Sequence, residues 1–137
     1  MSYNFKIFGT TADVGIEAFA DTLDEIFSVV SVGMYNIYTD VSRVKRIEHV
    51  DFTIEEEDLL NSLISLLNEF IYISDTKHFF FSYVTCQHNG YITKVHAEGE
   101  EILSRERLKI YIKAATYHNA LLDHVDNRWH AKVIFDI

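Results

Sequence analysis

Two aspartates near opposite ends of the sequence could together bind a hard metal ion. Asp136 lies in a segment, 130–137, that alternates between apolar and more polar residues, which predicts a strand with Asp136 facing away from the apolar side. If the chain ends at Ile137, the terminal carboxylate lies one residue from Asp136. Such oxygen ligands select Mg²⁺ or Ca²⁺, and Asp13 from another strand could add a third carboxylate.

These carboxylates also have a purely structural interpretation, in which Asp13 caps a turn and Asp136 is solvated.

The histidines offer a different metal site, made of His124, Asp126 and His130. These residues flank a predicted turn at 126–128 and have no matching further ligand, so we favour a structural role for them. The acidic run 55–58 is interpreted as a helix start, because adjacent side chains on a helix fan out instead of converging on a cation.

A mixed polar cluster at 113–118 contains Lys113, Thr116 and His118 near a predicted strand end. It is compatible with a binding surface and equally with an edge strand, where Lys and Thr limit further pairing. The sequence contains no glycine-rich phosphate loop, paired-cysteine zinc pattern, His-Glu-x-x-His helix or glycine-flanked nucleophilic serine. We therefore expect a protein that is not an enzyme. Cys86 is expected to be buried, because it lies in a predicted strand with Phe81, Tyr83 and Val84.

The elements that position these residues can be read from local patterns. Thr22 and Glu25 form a capping box ahead of an apolar helical stripe at 23–38, and a second helix is predicted at 59–74. Strands are predicted at 5–8, 14–19, 44–54, 79–87, 91–97, 108–116, 117–125 and 129–137, with turns at 9–12 and 88–90. The fold class is therefore α+β, a two-layer sandwich of two amphipathic helices packed on a mainly antiparallel or mixed sheet.

Composition limits the class of protein. The 137 residues are 48% apolar, which is enough to form one domain, 1–137, with a real core. No apolar run reaches the ~18 residues of a membrane span, and the single cysteine suits a reduced cytoplasm. A net charge of −9 opposes direct nucleic-acid binding and favours cations or basic protein surfaces as partners.

Three segments together resemble the archease family. They are Thr-Ala-Asp-Val-Gly at 11–15, Lys-Ala-Ala-Thr-Tyr-His at 113–118 and Val-Ile-Phe-Asp-Ile at 133–137. The likeness covers nearly the whole chain, because both predicted helices also fall where that family has them. The family usually has histidine before the first motif, where this chain has Thr10, whose hydroxyl can donate a hydrogen bond but cannot titrate near neutral pH.

The resemblance implies an accessory protein that activates an RtcB-type, GTP-dependent RNA ligase in tRNA splicing, promoting its guanylylation and repeated turnover. It also implies a divalent cation, calcium in preference to magnesium, held by Asp13, Asp136 and Ile137, with Lys113, Thr116 and His118 in support. A second function stays open, a chaperone-like or general protein-interaction module whose carboxylates are only structural. Its aromatic surface would be 79–81, for which we favour a core position.

Overall fold

The computed structural model describes residues 4–9 and 13–137. Within these residues the chain forms two helices, seven strands and two short 3-10 turns, at Val41–Arg43 and Arg105–Arg107. The main elements are β1 (Phe5–Gly9), β2 (Asp13–Ala20), α1 (Leu23–Tyr38), β3 (Glu48–Glu55), α2 (Leu59–Lys77), β4 (Phe79–Asn89), β5 (Ile92–Glu101), β6 (Ala114–Val125) and β7 (Arg128–Asp136). Neither helix in this part of the chain has the length and apolar character that a membrane span requires.

Both helices begin at side-chain caps that the sequence predicts. The Thr22 hydroxyl accepts a hydrogen bond from the amide of Glu25 at 3.1 Å, and α1 covers the predicted range. Asp58, the last residue of the acidic run, accepts a hydrogen bond from the amide of Asn61 at 3.0 Å, which confirms that the run starts a helix. α2 continues past the predicted end at residue 74 and stops at His78, which has a left-handed φ of 58°.

The strands form two separate sheets. One has the order β1-β2-β7-β6 and the other β3-β5-β4, and every pairing among the described strands is antiparallel. The predicted α+β class, with two amphipathic helices packed on mainly antiparallel strands, is confirmed. α1 packs against β2 of the first sheet and β4 of the second, while α2 packs mainly against β6. α1 is buried on nearly all of its surface because both sheets contact it.

Two predicted strands in the C-terminal half are wrong in their bounds. In place of strands at 108–116 and 117–125, the structure has β6 alone, with irregular pairing between Thr116 and Leu121. Residues 109–113 lie outside any strand, and the amide of Lys109 donates to the carbonyl of Tyr38 at 2.7 Å. That carbonyl ends α1 and has no intrahelical donor, so this segment satisfies a helix end instead of a sheet.

The remaining strands lie close to their predicted positions. β3 begins at Glu48 instead of residue 44, and β4 and β5 are joined at the predicted turn, where Gly90 has a φ of 66°. Phe80 and Phe81 are 4% and 0% exposed, which confirms the core position favoured for this aromatic strand. The turn predicted at 9–12 stays a prediction, because residues 10–12 lie outside the described residues.

Candidate functional site

Asp13 and Asp136 lie directly opposite each other across the β2–β7 strand pair. Asp13 is the first residue of β2 and Asp136 is the last residue of β7, so both lie at one end of the first sheet. Side chains directly opposite in an antiparallel pair share a face, with Cβ atoms about 4.5–5.5 Å apart. The two carboxyl groups, called here the Asp13–Asp136 pair, are therefore neighbours.

Strand alternation directs the Asp13–Asp136 pair away from the core. Val14 and Phe135, the adjacent residues on the two strands, lie opposite each other and are buried. Asp13 is half-buried and Asp136 is exposed. The pair can therefore be reached by solvent or a partner, while packed core residues hold the backbone beside it.

Thr116 in strand β6 and Lys113, the residue before that strand, lie at the same end of the sheet. The amide of Lys113 donates to the carbonyl oxygen of Asp136 at 2.8 Å. The Thr116 hydroxyl donates to the carbonyl oxygen of Ile134 at 2.8 Å. Both contacts hold the end of β7, so Lys113 acts on the pair through its main chain.

The other predicted supporting residues are related to the pair less directly. His118 is exposed and lies in the irregular part of β6, where its amide donates to the Thr116 hydroxyl at 3.3 Å. Ile137 follows Asp136 and is half-buried. Thr10 lies outside the described residues, so its role stays a prediction.

Asn68, which the sequence analysis missed, holds the start of β6. Its side-chain amide donates to the carbonyl of Ala115 at 3.1 Å and accepts from the amide of Ala115 at 2.9 Å. It thereby pairs the outer edge of β6 with α2, as a neighbouring strand would. The signal in the sequence is a polar asparagine between Leu67 and Phe70, inside the apolar stripe of α2.

The donor chemistry of this sheet end fits a divalent cation. Ca²⁺ takes ~6–8 oxygen ligands, and Mg²⁺ takes an octahedral set that includes water. Among the described residues, no group of three or more His, Cys, Asp or Glu is placed to hold a metal ion. A cation at the Asp13–Asp136 pair therefore needs further oxygens, from water, a partner or, in a protein of these 137 residues, the α-carboxylate of Ile137.

The alternative histidine site is not assembled. His124 lies opposite Trp129 and His130 lies opposite Asp123, so the two imidazoles are on opposite faces of the β6–β7 pair. His130 instead places Nε2 at 2.8 Å from a carboxylate oxygen of Glu17. The structural role that we favoured for these residues agrees with this placement.

Cys86 is a core residue, as expected. It is 6% exposed, and burial raises the pKa of its thiol to about 12. The thiolate is the nucleophilic form of cysteine, so Cys86 is unsuited to nucleophilic chemistry at neutral pH.

A second polar cluster surrounds His96 on the other sheet. Its Nδ1 and Nε2 atoms each lie 2.8 Å from a carboxylate oxygen, of Asp51 and Glu98 respectively. Arg46 Nε lies 2.8 Å from the second oxygen of Glu98. Hydrogen bonds to Glu98 and Asp51 raise the pKa of His96 above its usual value of 6.5, since the ring can donate from both nitrogens only when it is protonated.

The chain is similar over almost its whole length to proteins of one family. The model of the Archease protein family matches residues 5–137. The protein archease of Thermococcus kodakarensis is 34% identical over 134 residues, which cover 93% of this chain and 94% of the relative. The protein archease of Thermococcus gammatolerans is 33% identical over 133 residues, with the same coverage of 93% and 94%.

Two solved structures resemble the structure of this chain. The solution structure of Methanobacterium thermoautotrophicum protein 1598 has a TM-score of 0.82 at 29% identity, and the match covers 98% of this chain and 99% of that chain. The crystal structure of a Thermotoga maritima protein, described as an archease and possible chaperone, has a TM-score of 0.66 at 18% identity. That match covers 95% of this chain and 94% of the other, and it bears on the fold alone.

Proposed function

Because this chain belongs to the archease family, we propose that it activates an RtcB-type, GTP-dependent RNA ligase in tRNA splicing. In this role it binds the ligase transiently and promotes guanylylation and multiple turnover, without being an enzyme itself. Its relatives are named as archease proteins, and one solved structure is described as a possible chaperone, names that do not describe a catalyst. A cytoplasmic location is part of the proposal, since a single cysteine cannot form an internal disulfide.

The Asp13–Asp136 pair is the observation that supports the proposal most directly. Two carboxylates directly opposite each other on a sheet bring like charges together, and a cation bound by both would offset that repulsion. The net charge of −9 bears on the choice of partner, because a strongly negative protein binds nucleic-acid phosphates poorly without help. We therefore infer that the partner contacted is the ligase protein and not RNA alone.

We propose that Asp13, Asp136 and Ile137 hold a divalent cation, with calcium preferred over magnesium because calcium accepts irregular sets of carboxylates. Bound there, the ion supplies positive charge to anionic oxygens such as those of a nucleotide phosphate. The chain's own part is to keep the two carboxylates adjacent through the β2–β7 register and through the amide of Lys113. Thr116, His118 and Thr10 are proposed to support this end of the sheet.

Multiple-turnover ligation by the cognate ligase tests the proposal. The unmodified protein is expected to raise turnover after the first cycle when GTP and a divalent cation are present, and Asp13→Asn should remove this effect in a folded protein. Asp123→Asn is a matched control, because Asp123 is an exposed carboxylate on the same sheet face but lies opposite His130. No stimulation by the unmodified protein rejects the proposal.

A chaperone-like or general protein-interaction module is the second candidate function, and exposed apolar side chains favour it. Leu103 and Tyr111 are 70% and 59% exposed and line the same cavity. In this account the Asp13–Asp136 pair only shapes the fold. The account is preferred if Asp13→Asn lowers the melting temperature but leaves ligase stimulation intact.

A further inference from the structure

A cavity of about 550 Å³ lies at the C-terminal ends of both helices. Tyr38, the last residue of α1, and Asp75, in the last turn of α2, line it together with Phe80 and Ile102. We call it the helix-end cavity. Its volume is within the range of about 300–1,000 Å³ that is typical of sites for small ligands or inserted side chains.

The outer wall of the helix-end cavity comes from the segment 103–111, which belongs to neither sheet. Backbone hydrogen bonds attach this segment to the helix ends. The amide of Ile102, just before the segment, donates to the carbonyl of His78 at 2.8 Å, and the amide of Lys109 donates to the carbonyl of Tyr38. The Tyr111 hydroxyl donates to a carboxylate oxygen of Asp75 at 3.2 Å. The chain thus bridges two helix ends without filling the space between them.

The floor of the cavity is apolar, and part of its rim is apolar as well. Phe80 and Ile102 are buried, whereas Leu103, Ile110 and Tyr111 on the rim are exposed. A single exposed apolar side chain needs no explanation, but several around one cavity mark a binding surface. An aliphatic or aromatic side chain of a partner would bury apolar area against both floor and rim.

Two cations also line the helix-end cavity. Arg105 and Lys109 are exposed, and neither forms a salt bridge to another described residue. Arg107, which lies between them in the sequence, is instead paired with Glu100 at 3.4 Å. On a protein with a net charge of −9, this cationic rim complements carboxylates of a partner.

The helix ends favour a protein segment over a phosphate-bearing ligand. Residues at the C-terminal ends of both helices, which are the negative ends of their dipoles, line the cavity. Asp75 adds a carboxylate, and the floor presents apolar side chains instead of the helix N-terminal amides that bind phosphates. A peptide avoids this repulsion by placing an apolar side chain inside and its carboxylates at the rim.

The helix-end cavity adjoins the candidate cation site along the chain. Tyr111 lies two residues before Lys113, whose amide donates to the carbonyl of Asp136 at 2.8 Å. Two residues span at most about 7 Å, and an ordinary protein interface covers about 800 Å² on each partner. One partner can therefore contact the cavity and the Asp13–Asp136 pair together.

We propose that the helix-end cavity is the docking site for an acidic segment of the protein partner. An aliphatic or aromatic side chain of that segment enters the cavity, and neighbouring carboxylates bind Arg105 and Lys109. The inference rests on the proposed function, because the partner is the RNA ligase. It extends that function by separating anchoring at the cavity from action at the Asp13–Asp136 pair.

Calorimetric titration of the 137-residue chain with the cognate ligase tests the proposal. The charge-reversed variant Arg105→Glu/Lys109→Glu is expected to bind at least about tenfold more weakly, because its new carboxylates repel those of the ligase segment. Lys45→Glu/Lys94→Glu is the matched control, since it changes the net charge equally at exposed lysines that do not line the cavity.

Leu103→Ser tests the apolar half of the proposal. Leu103 is 70% exposed, so the substitution leaves the core intact, and the lost contact should weaken binding about fivefold. Ile47→Ser is its control, because Ile47 is 67% exposed but does not line the cavity. At saturating concentration both cavity variants should recover full stimulation of ligation, since the Asp13–Asp136 pair is unchanged in them.

Three outcomes overturn the proposal, and they differ in what else they reject. If the cavity variants bind like their controls while the unmodified protein stimulates ligation, docking at the cavity is wrong and the proposed function stands. If the unmodified protein neither binds nor stimulates the ligase, both proposals fail. If the cavity variants bind the free ligase normally and lose affinity only when RNA is present, the cavity contacts RNA and not an acidic protein segment.

Discussion

Replacement of Asp136 by Asn is expected to stabilise the cation-free protein and to remove its stabilisation by calcium. Without a cation, the carboxylates of Asp13 and Asp136 lie directly opposite each other on β2 and β7. Asn has nearly the same shape as Asp but no charge, so the substitution relieves repulsion. It also removes one anionic oxygen ligand, so the two effects have opposite signs.

The magnitudes follow from the cross-strand geometry. Like charges directly opposite in an antiparallel pair cost about 0.2–1 kcal/mol, and in a protein of this size 1 kcal/mol corresponds to about 3–5 °C in melting temperature. Asp136→Asn should therefore raise the melting temperature of the cation-free protein by about 1–4 °C. Calcium at about a hundred times its Kd should stabilise the unmodified protein by about 2.7 kcal/mol, or about 10 °C.

Thermal unfolding followed by circular dichroism, after dialysis against EDTA and again with calcium or magnesium, separates the two effects. We expect the rank to reverse, with Asp136→Asn more stable than the unmodified protein without a cation and less stable at saturating calcium. Asp123→Asn should follow the unmodified protein in both conditions. Lower stability of Asp136→Asn in EDTA would refute the repulsion, and retained stabilisation by calcium would refute the cation site.

Three further predictions concern the packing and polar contacts of the two sheets. Gly99→Ala should lower the free energy of unfolding in urea by about 3 kcal/mol, because a Cβ there would overlap the backbone carbonyl of Phe80. Asn68→Ala should cost about 1–3 kcal/mol and speed hydrogen exchange at the amide of Ala115, which loses its acceptor. The stability advantage of the unmodified protein over His96→Gln should be largest below pH 6.5, the unperturbed pKa of histidine, and should decrease as the pH rises through the raised pKa of His96.

Matched variants or conditions check each of these predictions. Gly90 lies in open space with a φ of 66°, so Gly90→Asn should change stability by less than about 1 kcal/mol, and a loss as large as that of Gly99→Ala would contradict the overlap. Asn68→Asp keeps an acceptor for the amide of Ala115, and unchanged exchange in Asn68→Ala would show that the pairing is unnecessary. For His96→Gln, the unfolding free energy is compared with that of the unmodified protein. A difference that stays constant between about pH 6 and about pH 9 would show that protonated His96 is not stabilised by Asp51 and Glu98.

The helices and the C-terminal strand could be predicted from the sequence because their signals are local. A cap needs only a side chain and an amide three residues later, and Thr22 and Asp58 both meet this condition. Alternation over 130–137 likewise identifies the strand and the face of Asp136 from neighbouring residues. These patterns were sufficient for the α+β class, but they do not say how many sheets the strands form.

The residue types of the candidate site could also be predicted from the sequence. The close approach of Asp13 to Asp136 depends instead on the register between β2 and β7. Asp13 and Asp136 are opposite because Val14 packs opposite Phe135 in the core. A shift of one residue would place Asp136 on the other face of the sheet. That register is set by packing between β2, β7 and α1, which no local pattern in either strand encodes.

Tertiary structure alone determines the conformation of the segment 109–113 and the role of Asn68. Apolar residues at 108, 110 and 112 satisfy a strand pattern, but in the folded chain the amide of Lys109 bonds the free carbonyl at the end of α1. Asn68 in turn supplies the edge of β6 with the hydrogen bonds of a missing neighbour. The sequence by itself therefore determined the helices, the faces of the strands and the acidic residues of the candidate site. The hydrogen bonds of the segment 109–113 and of Asn68 were determined by tertiary structure, because the helix end and the sheet edge that need them exist only after packing.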